Sequence, residues 1–279
     1  MSSYHLSELI QTTVVKLGRL AAYRVSPVNT TTTVGNKTVI TDTTLAMTVN
    51  ELAHGVAIIT YDAGAAAAVP EGEMSSIASN TATTITLSTA LSADIAAGDE
   101  VMLIRPTYPL VEWLRGANMV LKSLGDIPLW DITTTLVTDQ TEYTLPATIL
   151  QPIEVWTNTS TTSLAKDWVQ LPSWTIQSAA PGTVKTIRIP LSYVDSGKSL
   201  GIVYNGAHPT VHDWDDHIDA PIELVAGKLA WHMVNRGGIN DRNRTQADKI
   251  LAEANDAERM FRIPNKKGKA TQFLSWGNS

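Results

Sequence analysis

The stretch HPTVHDWDDHIDAPIELVAGKLAWHMVNRGG, His208 to Gly238, is where a β-rich middle section gives way to a helical C-terminal section. Asp219 suits a helix N-cap, and Pro221 suits the first turn, where its missing N–H goes unused. Ile222, Val225, Ala226, Leu229, Ala230 and Met233 recur at helical spacing, and Gly237 and Gly238 are the stop signal. Leu224 and Trp231 fall off that stripe. The spacing therefore predicts a helix with two apolar faces, one for its own core and one for a neighbouring subunit, with Leu224 and Trp231 as the subunit-interface residues.

Upstream of this stretch, Leu6, Leu9, Ile10, Val14, Leu17 and Ala21 predict a first amphipathic helix from about Ser3 to Ala22. From Pro27 to Pro106 the composition shifts to Thr, Ala, Val and Gly, with alternating runs TVITD, GVAIITYDA, ATTITLS and EVMLIRP, which read as strands of an inserted β domain. Thr107 and Pro109 open a second helix, with Leu110, Leu114, Ala117, Leu121 and Leu124 on its stripe and Gly125 at its end. DITTTLVTDQTEYTLP then predicts a hairpin around Asp139 and Gln140. The runs ILQPIEVWTN, WVQLPSWTIQ, TVKTIRIPL and KSLGIVYNG complete a second antiparallel region. Beyond the opening stretch, Asp241 starts a fourth helix with Ala247, Ile250, Leu251, Ala254, Ala257 and Phe261 on one face. Its other face pairs Lys249 with Glu253 and Glu258 with Arg262 at i,i+4. The fold class is thus α+β: a small bundle of about four amphipathic helices with an antiparallel β region between them. Residues 1–26 and 107–264 form the core, 27–106 a separate inserted β domain, and 265–279 an extended tail.

The chain has 279 residues, 43% of them hydrophobic, enough for a substantial core, and a net charge of −6. That balance argues against a generally nucleic-acid-binding surface, which needs a concentrated positive field. With no cysteine there is no disulfide framework, thiolate zinc site or thiol nucleophile. The N-terminus lacks the pattern of a secretory signal, and no apolar run is long enough to span a bilayer, so a soluble protein without a membrane partner is expected.

His208, His212, Asp213, Asp215, Asp216 and His217 form the densest set of possible metal ligands, but their spacing matches no zinc signature such as HExxH. Acidic residues before a helix are also favoured by its dipole. GNKT at Gly35 to Thr38 lacks the first glycine and the following helix of a phosphate loop, and reads as a turn. Nucleophile elbows, dinucleotide fingerprints and calcium loops are missing, so no catalytic residue, cofactor or metal site is assigned, and the chain is not read as an enzyme. Trp130, Trp156, Trp168 and Trp174 cluster in the second β region, where indoles stack on sugars or, more usually, pack in cores and interfaces. In the tail, Lys266, Lys267 and Lys269 precede Phe273, Leu274 and Trp276, a basic run followed by apolar anchors that can order on a partner.

The order of elements, with YPLVEWLRGANMVLKSLGD, QTEYTLP, GIVYNGAHP and DDHIDAPIELVAGKLAWHMV, resembles the head-to-tail adaptor proteins (connectors, or head-completion proteins) of tailed bacteriophages. The resemblance covers roughly Leu6 to Arg24 and Tyr108 to Arg262; the 27–106 insertion goes beyond a minimal adaptor. It implies a homo-oligomeric ring, by resemblance a dodecamer, in the virion neck. Such a ring would be made in the host bacterial cytoplasm and would bind portal protein on one side and a tail or neck protein on the other. It would continue a DNA channel without sequence-specific binding, and the Lys266 to Trp276 tail would dock on the portal. Two other readings compete: a tail-fibre or receptor-binding virion component with a sugar-binding Trp-rich sheet, and a metal-dependent hydrolase using the His208 to His217 cluster.

Overall fold

The computed structural model describes residues 4–18, 21–27, 37–63, 69–149, 151–158, 168–178, 185–194, 197–237 and 244–262. The chain is α+β, with four helices and several antiparallel sheets. A short β1 (Tyr4–His5) leads into α1 (Leu6–Leu17). There follow β2 (Ala22–Pro27), β3 (Val39–Thr41), β4 (Val56–Tyr61), β5 (Met74–Asn80), β6 (Thr84–Leu87) and β7 (Glu100–Ile104). After α2 (Leu110–Ser123) come β8 (Asp126–Thr135), β9 (Glu142–Thr144), β10 (Pro152–Asn158), β11 (Trp168–Gln170), β12 (Thr175–Ser178), β13 (Lys185–Arg188) and β14 (Ser199–Ala207). The chain closes with β15 (His217–Ile218), α3 (Ile222–Gly237) and α4 (Arg244–Arg262). Among the described residues no helix is long and apolar enough to cross a membrane.

Two compact units divide these elements, one made of Ser2–Ser123 with Thr210–Pro264 and the other built on Leu124–Pro209. Contact therefore groups the 27–106 sheet with the helices and gives 124–209 its own unit, a different grouping from the one composition suggests.

In the larger unit the expected stripe of α1 is the buried one: Leu6, Leu9, Ile10, Val14 and Leu17 are all inaccessible, as is Ala21 beyond the helix end. Helix α3 packs against α1, α2 and α4. The stripe of α2 is turned from its expected position, because Trp113, Gly116, Ala117, Val120 and Leu121 are buried while Leu110 and Leu114 are only half-covered. Helix α4 buries Ala247, Ile250 and Ala254 as its period predicts, and Lys249 reaches Glu253 at 3.8 Å. Six strands in the order β2-β7-β4-β5-β6-β3 form an antiparallel sheet around Ile40, Leu52, Ile59, Ile77, Ile85 and Leu103.

Two features of this sheet differ from the compositional reading. Its first strand starts at Ala22, ahead of the Pro27 boundary, because Ala22 to Pro27 pairs along β7. Strand β5, rich in serine, escapes a β-branched pattern; it is held by pairing on both edges, with buried Asn80 accepting from the Leu52 N–H at 2.8 Å and donating to the Thr48 carbonyl at 2.8 Å.

The smaller unit holds a four-stranded sheet, β11-β10-β14-β8, and a three-stranded sheet, β12-β13-β9. The hairpin expected around Asp139 and Gln140 does not form. β8 pairs with β14 and β9 with β13. The chain turns there through Asp139 at φ 63°, and the buried Tyr143 hydroxyl closes the turn, donating to the Gln140 carbonyl at 2.7 Å and accepting from the Val137 N–H at 3.1 Å. A side chain thus replaces the ladder that would have made a hairpin.

Candidate functional site

Helix α3 is the centre of the larger unit, and its surroundings decide what it can do. Leu224 is 1% exposed and lies in the chain's own core, alongside Val225, Ala226, Leu229, Ala230, Met233 and Val234. The assignment of Leu224 to a subunit interface is therefore corrected: the second apolar face of α3 is taken up by packing among α1, α2 and α4. Trp231 is half-buried. Close approach is possible because a Cβ at Gly116 would lie 2.8 Å from Leu229 Cδ1, and one at Gly227 would lie 3.2 Å from Ala254 Cα. Charged pairs flank the same seams, Lys16 with Glu223 at 2.6 Å and Lys228 with Glu258 at 2.9 Å.

The apolar surface that the larger unit leaves open is elsewhere. On α2, Val111 is 55% and Met119 53% exposed, and with exposed Arg115 between them they follow an i, i+4, i+8 line along one face. On α1, Val15 is 73% exposed. Beside this line α2 also carries Glu112, a buried carboxylate that the apolar pattern did not single out. Its Oε1 accepts from Arg236 of α3 at 2.8 Å and from Arg115 at 3.1 Å. The Glu112 Oε2 and His232 Nε2 atoms are buried without a hydrogen-bond partner in the same α2–α3 seam.

The His208 to His217 segment serves as the start of α1. Leu6 N–H donates to the Asp216 carbonyl and Ser7 N–H to the Trp214 carbonyl, each at 3.0 Å, so two of the orphan amides of α1 are satisfied by this loop. β1 and β15 pair Tyr4 with Ile218 and His5 with His217, and the two imidazole rings lie 4.5 Å apart. The Asp216 carboxylate accepts from the backbone N–H of His212 at 2.5 Å and of Asp213 at 2.9 Å, which holds it below the usual carboxylate range. His5 Nδ1 bonds the Asp215 carbonyl at 2.7 Å, and His208 Nδ1 the Pro209 carbonyl at 2.7 Å. Among the described residues no three His, Asp or Glu side chains gather as a metal site. The tail residues Lys266, Lys267, Lys269, Phe273, Leu274 and Trp276 lie outside the described residues.

No protein-family model matches this chain, and no curated protein is significantly similar to it.

In the smaller unit three indoles come together. Trp130 of β8 meets Trp168 of β11 edge-to-face at 5.0 Å and Trp156 of β10 at 6.3 Å. Gly201 of β14 sits beneath them, where a Cβ would lie 2.5 Å from Trp130 and 2.9 Å from Trp168. Trp156 Nε1 donates to Glu154 Oε2 at 3.1 Å, while Glu154 Oε1 is buried without a partner. Desolvation raises the Glu154 carboxyl above its ordinary value, and the indole N–H opposes the rise. The clustering of tryptophans was visible in the sequence; which strands bring them together was not.

Proposed function

We propose that this chain is a structural virion protein of a tailed bacteriophage: an adaptor whose subunits form a ring between the capsid portal and the tail and continue the DNA channel. One helix, the inserted sheet, a second helix, a second antiparallel region and two further helices follow one another in an order that suits the resemblance, and α3 packed against α1, α2 and α4 suits a small bundle. The observation that carries the reading is the exposed apolar line Val111–Met119 on α2, on a helix whose opposite face is already buried. Isolated exposed valines are ordinary, but an aligned pair flanking an arginine is a composition suited to lateral contact between subunits. A head-to-tail contact of this kind generates a closed ring when its rotation closes. Net negative charge suits a channel through which DNA slides. By resemblance, the segment Lys266 to Trp276 docks on the portal.

Multi-angle light scattering and negative-stain electron microscopy of the purified protein, alone and with portal, test the proposal. Rings of one fixed subunit number are expected. A protein that stays monomeric under both conditions and forms no rings would falsify it.

A further inference from the structure

We infer that the outer face of the four-stranded sheet in the smaller unit binds a neutral saccharide, with Trp130, Trp156 and Trp168 as the stacking surface and the carboxamides of Gln170 and Asn205 as hydroxyl partners. The assignment stands independently of the ring proposal. Register places these groups on one face. Trp156 pairs with Gly201 and with Gln170, Asn158 with Trp168, Val203 with both Glu154 and Trp130, and Asn205 with Pro128. Residues directly opposite or two apart on a strand share a side, so the three indoles, Gly201, Gln170 and Asn205 lie together. The other face holds Val155, Leu200 and Ile202, all fully buried.

Three properties select a saccharide. First, the indoles form the outer layer: each is half-exposed while Glu154, Asn158 and Val203 beneath them are buried. Second, the surface is held in place. Gly201 lets Trp130 and Trp168 rest on the strand backbone, and buried Glu154 fixes Trp156 through its indole N–H, so Glu154 is a positioning residue. A rigid aromatic surface loses little conformational entropy on binding. Third, the described strand residues of the face carry little charge. Its ionisable groups among the described strand residues are buried Glu154 and Asp126 at the far end of β8, whereas Gln170 and Asn205 are exposed and each offers both donors and an acceptor. A pyranose ring presents an apolar C–H face for an indole and equatorial hydroxyls for carboxamides, and it brings no charge to be neutralised. An anionic peptide would find no basic side chain among the described strand residues of this face.

Native-gel affinity electrophoresis in dextran, glycogen, galactomannan and hydroxyethyl cellulose, with tryptophan-fluorescence titration by soluble hexasaccharides of the same linkages, tests the site. At least one probe is expected to retard the protein and to change its fluorescence saturably. Trp156→Ala should weaken that binding by tenfold or more. Because Trp156 also packs, the exposed pair Gln170→Ala and Asn205→Ala provides the second arm; the double variant should lose several-fold affinity with an unchanged circular dichroism spectrum. Absence of retardation across the panel, or retardation that survives both sets of substitutions, overturns the assignment. Protection of the indoles from acrylamide on self-association, in place of sugar binding, would instead give the face to a second copy of the chain.

Discussion

Glu112 on α2 and Arg236 on α3 are joined at 2.8 Å, and the pair is asymmetric: the carboxylate side chain is 6% exposed and the guanidinium 47%. Removing one partner from a buried pair is worse than removing the charge that needs it, because a buried acceptor without its donor keeps its desolvation penalty. Arg236→Ala leaves Glu112 with Arg115 alone and should lower stability by about 1–3 kcal/mol. Glu112→Met preserves volume and removes the orphaned oxygen, at the loss of a favourable interaction with the α2 N-terminus, and should cost less. Urea midpoints of the two variants check the order; a larger loss for Glu112→Met would mean that its second oxygen is satisfied.

The burial of Leu224 separates folding from assembly. Leu224→Ala opens a cavity in the chain's own core and should destabilise by about 2–5 kcal/mol, whatever the oligomeric state. Val111→Glu with Met119→Glu changes exposed positions only, so the monomer should lose less than about 0.5 kcal/mol while ring formation is abolished. Thermal melts and light scattering on the same samples distinguish them. Rings that persist in the double-glutamate variant would remove α2 as the lateral contact.

The Asp216 carboxyl is held low, chiefly by the backbone amides of His212 and Asp213. For an acid whose folded value lies below its unfolded one, the stabilisation is present above the unfolded value, near 3.8, and is lost as pH falls through the folded value. The wild-type protein should therefore be more stable than Asp216→Ala by a constant margin above about pH 5, and the margin should close on acidification below about pH 4. Melting temperatures across the acid range read this directly. A margin independent of pH would place the effect in the loop backbone.

Much of the helical framework was legible because burial follows period. Leu6, Leu9, Ile10, Val14 and Leu17 are buried as their spacing predicts, and so are Ala247, Ile250 and Ala254, while Leu251 of the same α4 stripe is only half-covered. The α2 stripe was misplaced by about one position because Glu112 and Gly116 break its apolar pattern: Glu112 is buried through ion pairs and Gly116 through the close approach of α3, and neither has a hydrophobic signature. Leu224 was misread for a related reason. A helix surrounded by its own chain and a helix shared with a neighbour show the same two-faced pattern, and only the positions of α1, α2 and α4 separate them. The hairpin at Asp139 failed because strand propensity is local while pairing is not. The His/Asp segment announced polarity but not its role, since the donors it satisfies, Leu6 and Ser7, lie some two hundred residues earlier in the chain.

Glu154 and Gly201 allow the tryptophan face to be probed for stability apart from any ligand. Burial raises the Glu154 carboxyl, so the folded state favours its protonated form. For an acid whose folded value is raised, stability is fully present below the unfolded value, near 4.5, and is lost as pH rises through the folded value. Glu154→Gln keeps an oxygen to accept the Trp156 N–H and has no proton to lose. It should match the wild-type protein near pH 4 and exceed it at pH 7, and chemical denaturation at the two pH values measures the crossover; equal stability at both would mean that Glu154 ionises without penalty. Gly201→Ala acts in the opposite direction at every pH. Its methyl group would meet Trp130 at 2.5 Å, which forces the indoles off the strand and should cost about 1–3 kcal/mol. A shift in near-ultraviolet circular dichroism should accompany that loss, because the displaced groups are the indoles themselves.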